Sequence, residues 1–234
     1  MSAQKTYSIR CPQCSHAQQV ELYDSINVSQ QPDLKIALFE NRLNRVQCSD
    51  CDANFRIDKP LLYHDADRNI LIHWMPDNAI SRDEILDEFD KSMEELRDAL
   101  PEGMEPPRVR LVFERVELVE LIFIVEAGMD ERVVEYIKYT VHSQNMKRLP
   151  PELKQLLLNV QYSTGDELLF ARRDVETMNL EEVLRYSRDA YRNVRKMYQD
   201  NPDEFIELFP GPYINARSTL LEESVVEVNN EEIE

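Results

Sequence analysis

Between residues 18 and 27, polar and apolar side chains alternate around Val20, Leu22 and Ile26, the period-two signature of an extended segment. The pattern then changes. Over residues 32–41, Leu34, Ala37, Leu38 and Asn41 share one face at helical spacing. Pro32 falls in the first turn, where a missing N–H costs nothing, and Asp33 complements the positive end of the helix dipole. Short apolar runs at residues 55–57 and 70–74 predict two further strands, with Pro60 breaking the first and Pro76 ending the second.

From residue 81 onward helical periodicity takes over. Ser81 and Glu84 form a capping box that opens a helix with the apolar stripe Ile85, Phe89, Met93, Leu96 and Leu100, stopped at Pro101 before a loop across 102–107. Residues 108–113 alternate as a strand. Residues 114–126 and 131–144 read as helices, separated by Gly128, with Asp130 capping the second. A short helix is expected after Pro150 and Pro151, then a β-hairpin with arms 159–163 and 166–172 around Thr164 and Gly165. Asn179 and Glu182 predict the start of a long amphipathic helix along Val183, Ser187, Ala190, Tyr191, Val194, Met197 and Tyr198, ending at Asn201 and Pro202. Such a stripe normally faces the protein's own core, and a partner helix or a second copy of the chain is the alternative. The acidic stretch 222–234 has little to bury and is expected to be a mobile tail.

Chemistry enters with the cysteines. The chain has four, in two Cys-x-x-Cys pairs: Cys11 with Cys14 and Cys48 with Cys51. Such a pair curls the backbone so that both sulfurs face one point, and two of them offer four thiolates at the ~2.3 Å Zn–S distance that tetrahedral zinc prefers, with no coordination position left open. The flanks repeat as well: Ile9 and Val46 lie two residues before their first cysteine, and Val20 and Ile57 six residues after their second. Two knuckle-and-strand arms facing each other across a metal are the reading. A thioredoxin-like redox pair would open a helix, which neither pair does, and disulfides would require an oxidising compartment, whereas residues 1–5 show no secretory signal. Spacing by itself does not separate zinc from iron. Residues directly after a knuckle commonly take a positive φ, and here these are Ser15 and Asp52, with no glycine.

Residues 7 to about 76, with the knuckle Cys11-Pro12-Gln13-Cys14 and the segment Leu61-Leu62-Tyr63-His64-Asp65 after the second pair, resemble the CpXC domain, named for its Cys-Pro-x-Cys motif. The second pair, Cys48-Ser49-Asp50-Cys51, departs from that motif in lacking the proline, and the resemblance extends more weakly through Val141. It implies a metal-binding domain of bacterial or archaeal type, in a family with no settled activity. Combined with the periodicities, the expectation is an α+β protein. Residues 1–76 would form a zinc ribbon with a helical insertion in the 33 residues between Cys14 and Cys48, longer than the roughly 15 to 20 of an ordinary ribbon. Residues 77–217 would form a mainly helical acidic domain with a β-hairpin, and 218–234 an acidic tail.

Charge narrows the functional classes. The chain has a net charge of -18, yet residues 1–76 hold 8 basic and 9 acidic residues, so the acidity belongs to the rest. Nucleic-acid affinity comes mainly from Lys and Arg displacing counterions, and only a local patch of Arg10, Lys35, Arg42, Arg45 and Arg56, with Tyr23, Phe55 or Trp74 for stacking, would supply it. The longest apolar run, residues 121–125, is too short for a bilayer span. Four scattered glycines exclude a P-loop, a dinucleotide-binding turn and a nucleophile elbow. The segment from Asp65 to Asn69 imitates the start of a calcium loop but reads as a turn, with Ile70 where that loop needs glycine. His16, His64 and His73 are the residues that would have to converge on the metal for catalysis, with Asp65 beside His64 as the carboxylate partner. The leading expectation is therefore a cytoplasmic protein with a structural Zn2+ on Cys11, Cys14, Cys48 and Cys51, contacting a protein partner or a second copy of itself. A nucleic-acid-binding ribbon and a hydrolase or redox enzyme built on His64 and Asp65 are the alternatives.

Overall fold

The protein is seen as a computed structural model that describes residues 2–76, 81–99 and 107–231. The chain divides into two compact units, residues 1–118 and 119–234.

The first unit is built on strands β1 (Ala3–Arg10), β2 (Ala17–Asn27), β5 (Leu61–Asp65), β6 (Ile70–Trp74) and β7 (Arg108–Val112), hydrogen-bonded in the order β1-β2-β5-β6-β7. Neighbours alternate between antiparallel (β1 with β2, β5 with β6) and parallel (β2 with β5, β6 with β7). Helix α1 (Pro32–Phe39) and the small antiparallel pair β3 (Arg45–Gln47) and β4 (Asn54–Arg56) occupy the span between β2 and β5. β5 and β6 alternate buried and half-buried, which places Leu61, Tyr63, Ile72 and Trp74 in the core. Trp74 donates its indole N–H to the carbonyl of Phe113 at 3.1 Å. Helix α2 (Arg82–Ala99) opens with the expected capping box: Glu84 N donates to Ser81 Oγ at 3.2 Å, and Ser81 N to Glu84 Oε2 at 3.3 Å. Its expected stop at Pro101 and the loop after it lie outside the described residues.

Two corrections follow for this unit. The expected helical insertion is present as α1, but the sheet does not close at residue 76, because β7 pairs with β6 over five residues and extends it. The unit therefore runs to Leu118. β5 also has no counterpart among the expected strands, since its short, mixed run of Leu, Tyr, His and Asp carries almost no periodic signal on its own.

Helix α3 (Arg115–Glu126) contains the boundary between the units. The second unit then continues through α4 (Glu131–Gln144), β8 (Lys154–Leu158), a 3-10 turn at Val160–Tyr162, β9 (Glu167–Asp174), β10 (Leu180–Ser187), α5 (Arg188–Asp200), α6 (Pro202–Leu208) and α7 (Ala216–Glu231). Asp130 caps α4 as expected, accepting from the N–H groups of Arg132 and Val133. The strands form an antiparallel sheet in the order β10-β9-β8, and Leu158, Phe170, Val133, Ile137 and Tyr191 are among the residues that close its core.

This unit is less helical than its periodicity suggests. Residues 154–158, expected as a short helix, are a strand, because Lys-Gln-Leu-Leu-Leu is compatible with either state and pairing with β9 decides it. The long helix expected from Asn179 begins only at Arg188, with Ser187 as its cap accepting from Asp189 N at 3.1 Å. Upstream, Leu184 and Tyr186 pack on the core while Val183 and Arg185 point outward, a period of two that a helical stripe partly imitates. Arg172 holds Glu181 and Glu182, each at 3.0 Å, fastening β10 to β9. The acidic tail expected from residue 218 is also superseded, since α7 runs to Glu231 with Leu220 buried and Glu223 accepting from Tyr139 Oη at 3.0 Å.

A charged cluster lies inside this unit. Lys138 on α4 meets Glu120 of α3 and Glu135 of α4, both at 2.7 Å, and all three side chains are buried. Glu120 also accepts the N–H of Leu158, and Glu135 Oε2 accepts that of Ala216 at 2.8 Å. One lysine thereby joins α3, α4, β8 and α7 of the second unit.

Candidate metal centre

Each cysteine pair sits in the turn of a two-stranded hairpin, Cys11 and Cys14 between β1 and β2, Cys48 and Cys51 between β3 and β4. The two turns have the same hydrogen bonds. Cys11 N donates to the carbonyl of His16 at 2.9 Å and Cys48 N to that of Ala53 at 2.8 Å. Ser15 N donates back to Cys11 O at 2.9 Å and Asp52 N to Cys48 O at 3.1 Å. Gln13 N and Asp50 N point at the first sulfur of their own pair, at 3.4 and 3.5 Å. Ser15 and Asp52 both take the left-handed conformation, with φ of 62° and 57°, as expected from the knuckle pattern. The second knuckle therefore reaches the shape of the first without its proline.

Side chains remote in sequence hold the two hairpins together. Gln18 donates from Nε2 to the carbonyl of Gln47 at 3.0 Å and accepts from Ser49 N at 2.9 Å. Asn44, itself at a φ of 54°, acts as a substitute strand partner for Tyr23, accepting its N–H at 2.8 Å and donating to its carbonyl at 3.1 Å.

The four sulfurs lie within 4.8 Å of one another, with Cys11 Sγ to Cys51 Sγ at 3.7 Å and Cys14 Sγ to Cys48 Sγ at 3.6 Å. A regular tetrahedron around zinc with ~2.3 Å bonds has sulfur–sulfur edges of about 3.8 Å, so the donor set fits that ion. Cys11 and Cys48 are buried, and Cys14 and Cys51 lie nearer the surface. Without a metal, the thiols differ in acidity. The backbone N–H of Cys14 and then that of Gln13 lower Cys11 to about 7 against its burial, and the N–H groups of Cys51 and Asp50 lower Cys48. Cys14 is pushed up to about 12: the His16 N–H acts downward, but burial and hydrogen bonds to the other sulfurs outweigh it. Cys51 is raised too, against the downward pull of the Ala53 and Cys14 contacts. A divalent cation bound here would replace these shared protons, since the thiolate is the ligand.

The positive φ at Ser15 yields a prediction. A left-handed L-residue costs roughly 1–2 kcal/mol, partly offset in glycine by its larger loss of chain entropy. Ser15→Gly is expected to raise the denaturant midpoint by the equivalent of about 0.5–1 kcal/mol with the metal content unchanged. A lowered midpoint would show that the serine side chain stabilises the turn.

The histidines do not gather at the sulfurs. His16 contributes its carbonyl to the first knuckle. His64 Nδ1 lies 3.1 Å from Asn27 Nδ2, and His73 meets Phe89 edge-on at 5.2 Å, with its basicity lowered by burial. His64 and Asp65 are successive residues of β5, so they point to opposite faces, and Asp65 is engaged by Arg68 at 2.8 Å. Residues 66–69 form the turn that joins Asp65, the last residue of β5, to β6, so the segment is a turn as expected. In the basic patch, Arg42 pairs with Glu40 at 2.5 Å and Arg56 with Asp58 at 2.6 Å. A separate cleft of about 570 Å³ borders Tyr7, Asp24, Lys59 and His73. Burial acts to raise Asp24, but Lys59, Tyr7 and Lys5 outweigh it and hold the carboxyl at about 2, leaving a carboxylate already committed to its neighbours.

Two matched turns, one on the five-stranded sheet and one on the separate β3-β4 pair, bring four cysteine sulfurs within 4.8 Å of one another, a cluster compatible with a metal ion. The resemblance first seen in Cys11-Pro12-Gln13-Cys14 extends far beyond that motif. The chain belongs to the CpXC protein family, whose model matches residues 9–138, more than half of its length. No curated protein and no solved structure gives a significant match.

Proposed function

We propose that Cys11, Cys14, Cys48 and Cys51 hold one Zn2+ as a structural element, and that the chain is an adaptor whose surface contacts another protein. The observation that carries the metal reading is the sulfur tetrahedron, with edges of 3.6 and 3.7 Å between opposite knuckles. Four protein ligands fill the coordination sphere of zinc, so the ion lends folding energy and no vacant position for substrate. Residue by residue, the enzyme alternative loses support with His64 and Asp65 on opposite faces, and the nucleic-acid alternative loses support with Arg42 and Arg56 neutralised by acids. The adaptor reading draws on β10, at an edge of its sheet, where Leu180 and Val183 are more than half exposed. Four reduced thiols suit the cytoplasm, and among the described residues no helix is long and apolar enough to cross a membrane.

Elemental analysis of the purified protein tests the metal, and affinity purification from native cells tests the adaptor role. One zinc per chain and a protein partner whose capture fails with Leu180→Asp/Val183→Asp are expected. Iron in place of zinc, or metal-free folded protein, would overturn the first part. Recovery of the same partners by the double variant would overturn the second.

A further inference from the structure

The second unit contains a cleft of about 540 Å³ that carries the opposite charge to the chain as a whole. One wall is α5, which presents Arg188, Arg192 and Arg195 at positions i, i+4 and i+7, hence on one helix face. The other walls are the turn after α3 at Gly128 and the loop before β9 at Thr164 and Gly165. Among the described residues no aspartate or glutamate lines the space, in a chain that has 45 of them.

The donors are arranged rather than scattered. Arg188 is oriented by giving its Nε–H to the carbonyl of Thr164, which leaves its terminal nitrogens for another acceptor. The Arg195 guanidinium makes no hydrogen bond or ion pair among the described residues. Tyr191, only 5 % exposed, lines the cleft, and its hydroxyl oxygen accepts Asp130 N–H at 3.0 Å, so its own proton remains available to a ligand. Of the acids nearby, Asp130 caps α4 and Glu167 holds Arg185 at 2.7 Å, while Asp189 pairs with Arg192 from outside the cleft and offsets part of its charge, leaving Arg195 and Arg188 as the principal cations.

We infer that this cleft binds a phosphate-bearing small molecule, with Arg195, Arg188 and Arg192 on the phosphate oxygens and Tyr191 Oη as an additional donor. Guanidinium forks match phosphate oxygens in pairs, and three converging arginines suit a multiply charged group better than a single carboxylate. A volume near 540 Å³ lies within the range for small ligands and exceeds what a bare ion needs, and Ala127 and Met129 supply apolar wall for the rest of the molecule. A long polyanion would meet the field of a chain carrying -18 charges, whereas a small phosphate samples mainly the local arginines.

Calorimetric titration of the full-length, metal-loaded protein with pyrophosphate, and in parallel with succinate, at constant ionic strength tests this. Saturable pyrophosphate binding is expected, weakened about tenfold or more in Arg195→Gln and in Arg192→Gln, each of which removes an exposed charge, and unchanged in Arg45→Gln of the first unit. Circular dichroism checks that each variant keeps its fold. Absence of saturable binding at millimolar pyrophosphate, affinity in both cleft variants equal to that of the parent protein, or succinate binding as tight as pyrophosphate would overturn the assignment.

Discussion

Removing the proposed zinc with a strong chelator is expected to release residues 11–18 and 41–58 from protection against hydrogen exchange, while β5 and β6 stay protected. β3 and β4 have three residues each, far short of an independently stable hairpin. They are held in place by the sulfur cage and by the Gln18 and Asn44 side chains. β5 and β6, by contrast, bury Tyr63, Ile72 and Trp74 in a core of their own. Structural zinc contributes ~10–16 kcal/mol in isolated fingers, which are unfolded without it, and the sheet absorbs part of that dependence here. Cys48→Ser should act in the same direction, because it removes one of four ligands at a fully buried position and leaves a hydroxyl there. An exchange pattern and a thermal midpoint unaffected by metal removal would show that the sulfurs do not organise the fold.

The second large effect is expected at Lys138. Replacing it with methionine keeps the length of the side chain but leaves Glu120 and Glu135 buried without their cation, a change that typically costs about 3–5 kcal/mol. The protein's one tryptophan, Trp74, lies in the first unit, so unfolding of the second is best followed by far-ultraviolet circular dichroism. Burial pushes the Glu120 carboxyl up to about 7 even though Lys138 draws it down. Because its folded value lies above the unfolded one, the native state binds the proton more tightly. The associated stability is fully present below the ordinary glutamate range and is lost as pH rises through about 7. Glu120→Gln should flatten this dependence, and combined with Lys138→Met it should recover part of the loss. A single variant Lys138→Met within about 1 kcal/mol of the parent protein would contradict this account.

How far the chain could be read from its letters depended on whether the deciding contact was local. The two cysteine pairs, the positive φ after each, the Ser81–Glu84 cap and the Asp130 cap all act within a few residues, and all are where the spacing places them. β8 and β10 carry helical periodicity in sequence because Leu156, Leu158, Leu184 and Tyr186 acquire their direction from β9 and the core beneath it, which no window of sequence contains. Gln18, Asn44 and Glu120 were invisible for the same reason. Each is an ordinary polar residue until a partner roughly 20 to 40 positions away is brought alongside. The helix α7 was lost to its composition, since an acidic stretch reads as solvated unless Ala216 and Leu220 are known to be covered.

The partnership of β6 with β7 across thirty-odd intervening residues has a practical side. A shortened polypeptide ending near position 76 would strip one margin of the sheet and leave the main-chain amides and carbonyls of Ile70–Trp74 facing outward. Such a bare seam recruits whatever strand arrives first, so truncations at that point should polymerise, and a workable fragment has to carry the chain through β7.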